Sequence, residues 1–196
     1  MARGQTPSQT LGPFFAYGLT PEQYGYPLAS IAGPELAGDD ASGERIRIEG
    51  RVLDGNDEPV NDAMIEIWHA DDQGRYPDAA DPRRANTTFN GFGRTGTGTD
   101  PAHRYWFHTV KPGTPDDNQA PHVNVVVFMR GLPTHVYTRM YFSDEIQANA
   151  HDPVLTLVPE ARRTTLIGQR TEQAGHITYR FDIHMQGDRE TVFFDF

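Results

Sequence analysis

RIRIEGRVLDGNDEPVNDAMIEIWHA, residues 45–70, reads as strand, turn, strand. Ile46, Ile48 and Val52 alternate with charged neighbours, the period of a half-buried strand. DGNDEPV supplies the glycine and proline of a chain reversal. AMIEIWHA then alternates again, with Met64, Glu66 and Trp68 on one face and Ile65 and Ile67 on the other. Working outward, RYWFHTV (104–110), HVNVVVF (122–128), HVYTRMYF (135–142) and HITYRFDIHM (176–185) repeat the pattern. Loops rather than regular helical crossovers separate these runs, so the predicted fold is mainly β, an antiparallel β-sandwich. Two short segments, SDEIQANA and PEARRTTLIGQR, have helical character, the first with a serine and an acidic residue at its start. Residues 73–103 read as one long irregular excursion, a kind of loop that is usually functional or held by partners.

A chain of 196 residues is long enough for one well-buried core and short for two domains. The expected division is an N-terminal arm, 1–43, and a sandwich domain, 44–196. The arm has no sustained periodicity, yet it holds Phe14, Phe15, Tyr17, Tyr24 and Tyr26, rings that must be buried on their own domain or on a neighbouring chain. A net charge of −10 opposes nucleic acid and acidic lipid. The chain has no cysteine, so disulfides and thiolate metal sites are excluded. MARGQTPSQTLGPFF lacks the apolar run of a signal peptide and no stretch approaches the length of a membrane span, so a cytoplasmic location is expected.

The chemistry-bearing residues are sparse in pattern. His69, His103, His108, His135, His151, His176 and His184 have no histidine two to four positions away, and each reads as a surface or hydrogen-bonded histidine. Asp71 and Asp72 lack the remaining alternating ligands of a calcium loop and read as a turn. The glycines at 91, 93, 96 and 98 neither follow a clear strand into a helix nor carry a lysine for phosphate, so they read as loop flexibility. No serine sits in a nucleophile elbow. In APHVNVVVF, residues 120–128, His122 and Asn124 lie two apart on one strand face. A second histidine at 124 would offer two imidazoles to one metal ion, whereas the amide is a far poorer ligand.

GRVLDGNDEPVNDAMIEIWHADDQGRY, FGRTGTGTD, YWFHTVKPG, APHVNVVVF, TRMYF, TVFFDF and, at the front, TPSQTLGPFF together resemble the intradiol ring-cleaving dioxygenases over nearly the whole chain. The resemblance implies a β-sandwich that works with non-haem ferric iron and dioxygen to cleave an aromatic ring, protocatechuate, between its two hydroxyls. In that family two tyrosines and two histidines hold the iron, the phenolates stabilising the ferric state. Carried over position by position, the ligand set fails. No tyrosine lies between Tyr76 and Tyr105, and KPGTPDDNQAP, 111–121, has none. The histidine positions fall on His122 and Asn124, and a family arginine three residues before the first histidine falls on Gln119. One imidazole cannot hold a ferric ion against hydrolysis, so this chain is expected to bind no iron.

The resemblance instead implies the pocket-closing alpha-type subunit, with Fe(3+) held by a homologous beta subunit. Thr10, Gly12 and Pro13 of the arm and Arg130 are then the expected substrate-binding residues. Glycine and proline permit close backbone approach, and a guanidinium adds positive potential near an anionic benzoate. No catalytic residue is assigned to this chain, its arm is expected to pack on the partner, and alone it should aggregate or be inactive. Two other readings compete: a structural or carbohydrate-binding β-sandwich, and an independent metalloenzyme that recruits His108 or His135.

Overall fold

The computed structural model describes residues 12, 15–85, 87–116 and 118–195. Its strands are β1 (Arg45–Leu53), β2 (Met64–Trp68), β3 (Phe92–Gly96), β4 (Arg104–Val110), β5 (His122–Phe128), β6 (Val136–Phe142), β7 (Ile167–Gln173), β8 (His176–Arg180) and β9 (Ile183–His184). Short helices are α1 (Phe15–Leu19), α2 (Ile146–His151), α3 (Pro153–Leu157) and α4 (Glu160–Arg163). The strands run in the order β3-β2-β5-β6-β7-β8-β1-β4, with β9 beside β1. Pairing is antiparallel between β1 and β4, β2 and β3, β2 and β5, β5 and β6, and β7 and β8. It is parallel where β1 meets β8 and β9 and where the short β6–β7 contact joins the two halves. The fold is mainly β, as the sequence predicts, with these three parallel ladders added to the antiparallel scheme.

Both halves bury their alternating residues in one core. Ile46, Ile48 and Val52 of β1, Ile65 and Ile67 of β2, Phe107 of β4, Val123, Val125 and Val127 of β5 and Tyr179 of β8 meet there. The same alternation sends polar partners outward: Glu66 pairs with Arg94 at 2.6 Å, and Arg47 pairs with Glu49 at 2.8 Å. Position 50 within β1 is glycine, and a Cβ there would run into the Phe181 carbonyl and the Tyr105 hydroxyl. Across the core the Phe142 and Tyr179 rings meet edge to face, centroids 4.8 Å apart, which ties β6 to β8.

Three local readings change. FGRTG forms the edge strand β3, inside the segment read as irregular loop, and Gly93 leaves room for Leu36 and Phe107 to pack on it. LIGQR completes a helix-like segment only as far as Leu166, and from Ile167 it is the strand β7. The arm carries the α1 turn and a 3-10 turn, Glu22–Tyr24. Its later part lies on its own domain: Leu36 is 1% exposed in the core, and Gln23 bonds the Gly96 backbone at 2.7 and 2.8 Å. Tyr26, Leu28 and Ile31 face outward, Ile31 at 97% exposure.

Candidate functional site

His122 opens β5, buried at 3% exposure. Its Nδ1 donates to the Ala120 carbonyl at 2.8 Å, which places the proton on Nδ1 and leaves Nε2 as a neutral acceptor. Burial, and then the charge of Arg139, hold its pKa below the usual histidine value. Asn124 is committed on both ends: its Nδ2 donates to the Trp68 carbonyl at 3.3 Å and its Oδ1 accepts from Arg139 Nε at 3.1 Å. Arg139 stands directly opposite Asn124 in the β5–β6 register, so the two side chains share a face. Its Nη1 reaches the Gln119 Oε1 at 3.3 Å. The cation absent at position 119 thus arrives from position 139.

Tyr76 closes the other side, its ring stacked on Trp68 at 5.7 Å and its hydroxyl interacting with Asn124. Burial raises the Tyr76 pKa, so the group is a phenol rather than a phenolate. Tyr141 packs 5.9 Å from the His122 ring and donates to Asp152 at 3.0 Å; burial raises its pKa as well. Ferric iron prefers anionic oxygen, and around His122 the amide is committed to Trp68 and Arg139, the Tyr141 hydroxyl is committed to Asp152, and a guanidinium is resident. The donor set does not fit the iron the resemblance implies. A metal ion would also have to share the space with the Arg139 charge.

Elsewhere the histidines and acids have local duties. His69 is fully buried, bonded to the Ala70 carbonyl at 2.7 Å and to Thr109 at 2.9 Å, and burial pushes its pKa down to about 4. His108 is held between Glu35 at 2.9 Å and Arg47 at 3.0 Å. His135 packs between the Phe128 and Tyr137 rings. Asp71 caps its own turn, accepting from the Gln73 and Arg75 backbone at 3.0 and 2.8 Å, as the sequence predicts. Among the described residues, no three His, Asp or Glu side chains converge as metal ligands.

The expected substrate-binding residues lie apart from this cluster. Thr10 and Pro13 fall outside the described residues. Gly12 is exposed just before α1, with nothing within 4 Å of where a Cβ would stand. Arg130 follows the far end of β5, about 20 Å along the strand from His122 by strand rise. Its guanidinium is half exposed, and Nε donates to the Asp62 carboxylate. So the cluster around His122 and the Arg130 region are separate places in the fold. Sequence reasoning missed Arg139 and Tyr76. TRMYF offered the arginine, but only the strand register shows which residue faces Asn124.

A match to the dioxygenase family spans residues 26–187. The intradiol ring-cleavage dioxygenase of Tetranychus urticae has the same fold, with a TM-score of 0.60 at 19% identity over 80% of this chain and 87% of that one. The chain belongs to the intradiol dioxygenase family. Within it, the protocatechuate 3,4-dioxygenase alpha chain of Burkholderia cepacia is 54% identical over 192 residues, 97% of each chain. The beta chain of the enzyme from the same organism is 34% identical over 155 residues, 74% of this chain and 66% of that one. No helix among the described residues is long and apolar enough to cross a membrane.

Proposed function

We propose that this chain is the alpha subunit of a protocatechuate 3,4-dioxygenase, completing the substrate pocket of a homologous beta subunit that holds the ferric iron. The reaction opens protocatechuate with dioxygen to 3-carboxy-cis,cis-muconate. The observation that carries the reading is the commitment of the family's ligand positions to other bonds. Asn124 is held by Trp68 and Arg139, within a chain that resembles an alpha chain from end to end. Activation of the catechol toward oxygen belongs to the partner's iron.

The contribution of this chain is recognition. Arg130 sits at an exposed turn with guanidinium N–H groups available to a carboxylate, a planar match that a lysine would not reproduce. Thr10, Gly12 and Pro13 are the arm residues assigned to the pocket, and glycine at position 12 permits close backbone approach. Exposed Tyr17, Leu19, Tyr26, Leu28 and Ile31 supply the apolar surface for docking on the partner. Co-expression with a chain bearing both tyrosines and an intact H-x-H strand should yield an iron-containing complex that consumes protocatechuate and oxygen in equal amounts. Stoichiometric iron in this chain alone, or turnover without the partner, would overturn the reading.

A further inference from the structure

Arg130 extends from the turn after β5 into solvent, and a free arginine there would sample many rotamers. It is restrained by Asp62, in the turn before β2, whose carboxylate is only 18% exposed and accepts from Arg130 Nε. A guanidinium engaged through Nε still presents its Nη1–Nη2 edge, the edge that pairs with a carboxylate by two parallel hydrogen bonds. Among the described residues no other group takes that edge.

The turn that carries Asp62 also approaches the arm, where the Tyr24 hydroxyl and the Asn61 carbonyl both crowd Gly98. The Tyr24 hydroxyl lies against Gly98 and feels the Asp62 charge, which joins burial and Tyr17 in raising its pKa. The Tyr17 ring meets Tyr24 edge-on at 4.5 Å, and Tyr17 belongs to α1, whose first turn bonds the Gly12 carbonyl from Phe15 at 3.2 Å. Contacts therefore run from Gly12 through α1 and Tyr17 to Tyr24, which approaches the turn that carries Asp62.

We propose that Asp62 is a positioning residue for substrate recognition: it grips Arg130 through Nε so that the opposite edge of the guanidinium is aimed at the carboxylate of the aromatic acid. This rests on the reading of Arg130 as part of the partner's pocket. Two consequences separate it from a merely structural role. Loss of the grip weakens recognition of the carboxylate without touching ring chemistry, so KM rises while kcat holds. And it acts only through Arg130.

The test is steady-state kinetics on the assembled complex with Asp62→Asn, Asp62→Glu, Arg130→Gln and the Asp62→Asn/Arg130→Gln double variant. The substrates are protocatechuate and unsubstituted catechol, and iron content and thermal midpoint serve as folding controls. Asp62→Asn should raise KM for protocatechuate about fivefold with kcat little changed, and leave catechol unaffected. Asp62→Glu should recover part of the loss, and the double variant should match Arg130→Gln alone. If Arg130→Gln raises KM for protocatechuate but Asp62→Asn does not, or if Asp62→Asn still acts in the Arg130→Gln background, the proposal fails while the pocket reading stands. If Arg130→Gln changes neither substrate, the pocket reading fails and the proposal with it. Should Asp62→Asn not assemble, Asp62→Ser carries the test: KM for protocatechuate identical to the unsubstituted complex, with Arg130→Gln raising it, overturns the proposal.

Discussion

Arg139 is the residue on which the character of the His122 cluster turns. Its charge does three things at once: it satisfies the Asn124 and Gln119 oxygens, it lowers the His122 pKa, and it makes the cluster unwelcoming to a second cation. Arg139→Met keeps the stem and removes the charge. The Asn124 Oδ1 then loses its donor in a half-buried site, which should cost about 1–3 kcal/mol in thermal or denaturant unfolding of the complex. The sign at His122 follows from the cause. Arg139 disfavours the imidazolium, so its removal should move the pKa up. Burial, the larger cause, remains, so the value should stay below that of an exposed histidine. Histidine carbon-13 NMR, with label confined to this chain in the assembled complex, reads that shift directly. A His122 resonance that titrates as before would show that the arginine does not govern the site.

At the scale of elements, legibility followed periodicity. β1, β2, β4, β5 and β6 were readable because each has one face in the shared core and alternates accordingly. β3 was not, because glycine at 93 and 96 removes the apolar half of the pattern: Leu36 comes from the arm to fill the space a side chain would occupy. β7 was not, because IGQRTEQ lies mostly exposed and its partners, not its composition, make it a strand. For the site, the sequence could locate the missing ligands one by one, since absence of tyrosine is local information. It could not place Arg139 or Tyr76, whose role depends on register and on a loop fold. Asp152 shows how tightly such elements are joined. Buried at 0% exposure, it caps α3 through the Val154 and Leu155 amides at 2.9 and 2.8 Å, accepts from the Ala120 amide at 2.9 Å just before β5, and takes the Tyr141 hydroxyl from β6. Asp152→Ala removes a helix cap and leaves buried donors unpaired, a loss of about 3 kcal/mol. Asp152→Asn, which keeps one acceptor oxygen, should lose less, and unfolding of the two variants side by side orders them. Equal losses would mean that the oxygen asparagine retains contributes nothing to the junction.

At the scale of the whole molecule, the fold separates two kinds of apolar surface. The shared core is sealed within this chain, with Ile65, Phe107, Val123 and Tyr179 fully buried. The arm is different, because Leu36 and Gln23 anchor it to the domain while Leu28 and Ile31 are left in water at 65% and 97% exposure. A side chain so exposed contributes almost nothing to the stability of its own chain, and changing it should shift that stability by no more than about 0.5 kcal/mol. If the arm docks on a partner, the same side chain becomes an apolar contact whose loss is felt only in association, where a buried aliphatic group is worth roughly 1.5–3 kcal/mol. Ile31→Asp adds a charge to that penalty in a chain already at −10. The complex should therefore dissociate at a protein concentration at least about tenfold higher than the unsubstituted one, while the secondary structure of this chain is unchanged. Sedimentation velocity over a dilution series, with circular dichroism as the control, measures both. A complex that holds together equally well with aspartate at position 31 would mean that this part of the arm stays in solvent and that docking rests on other residues.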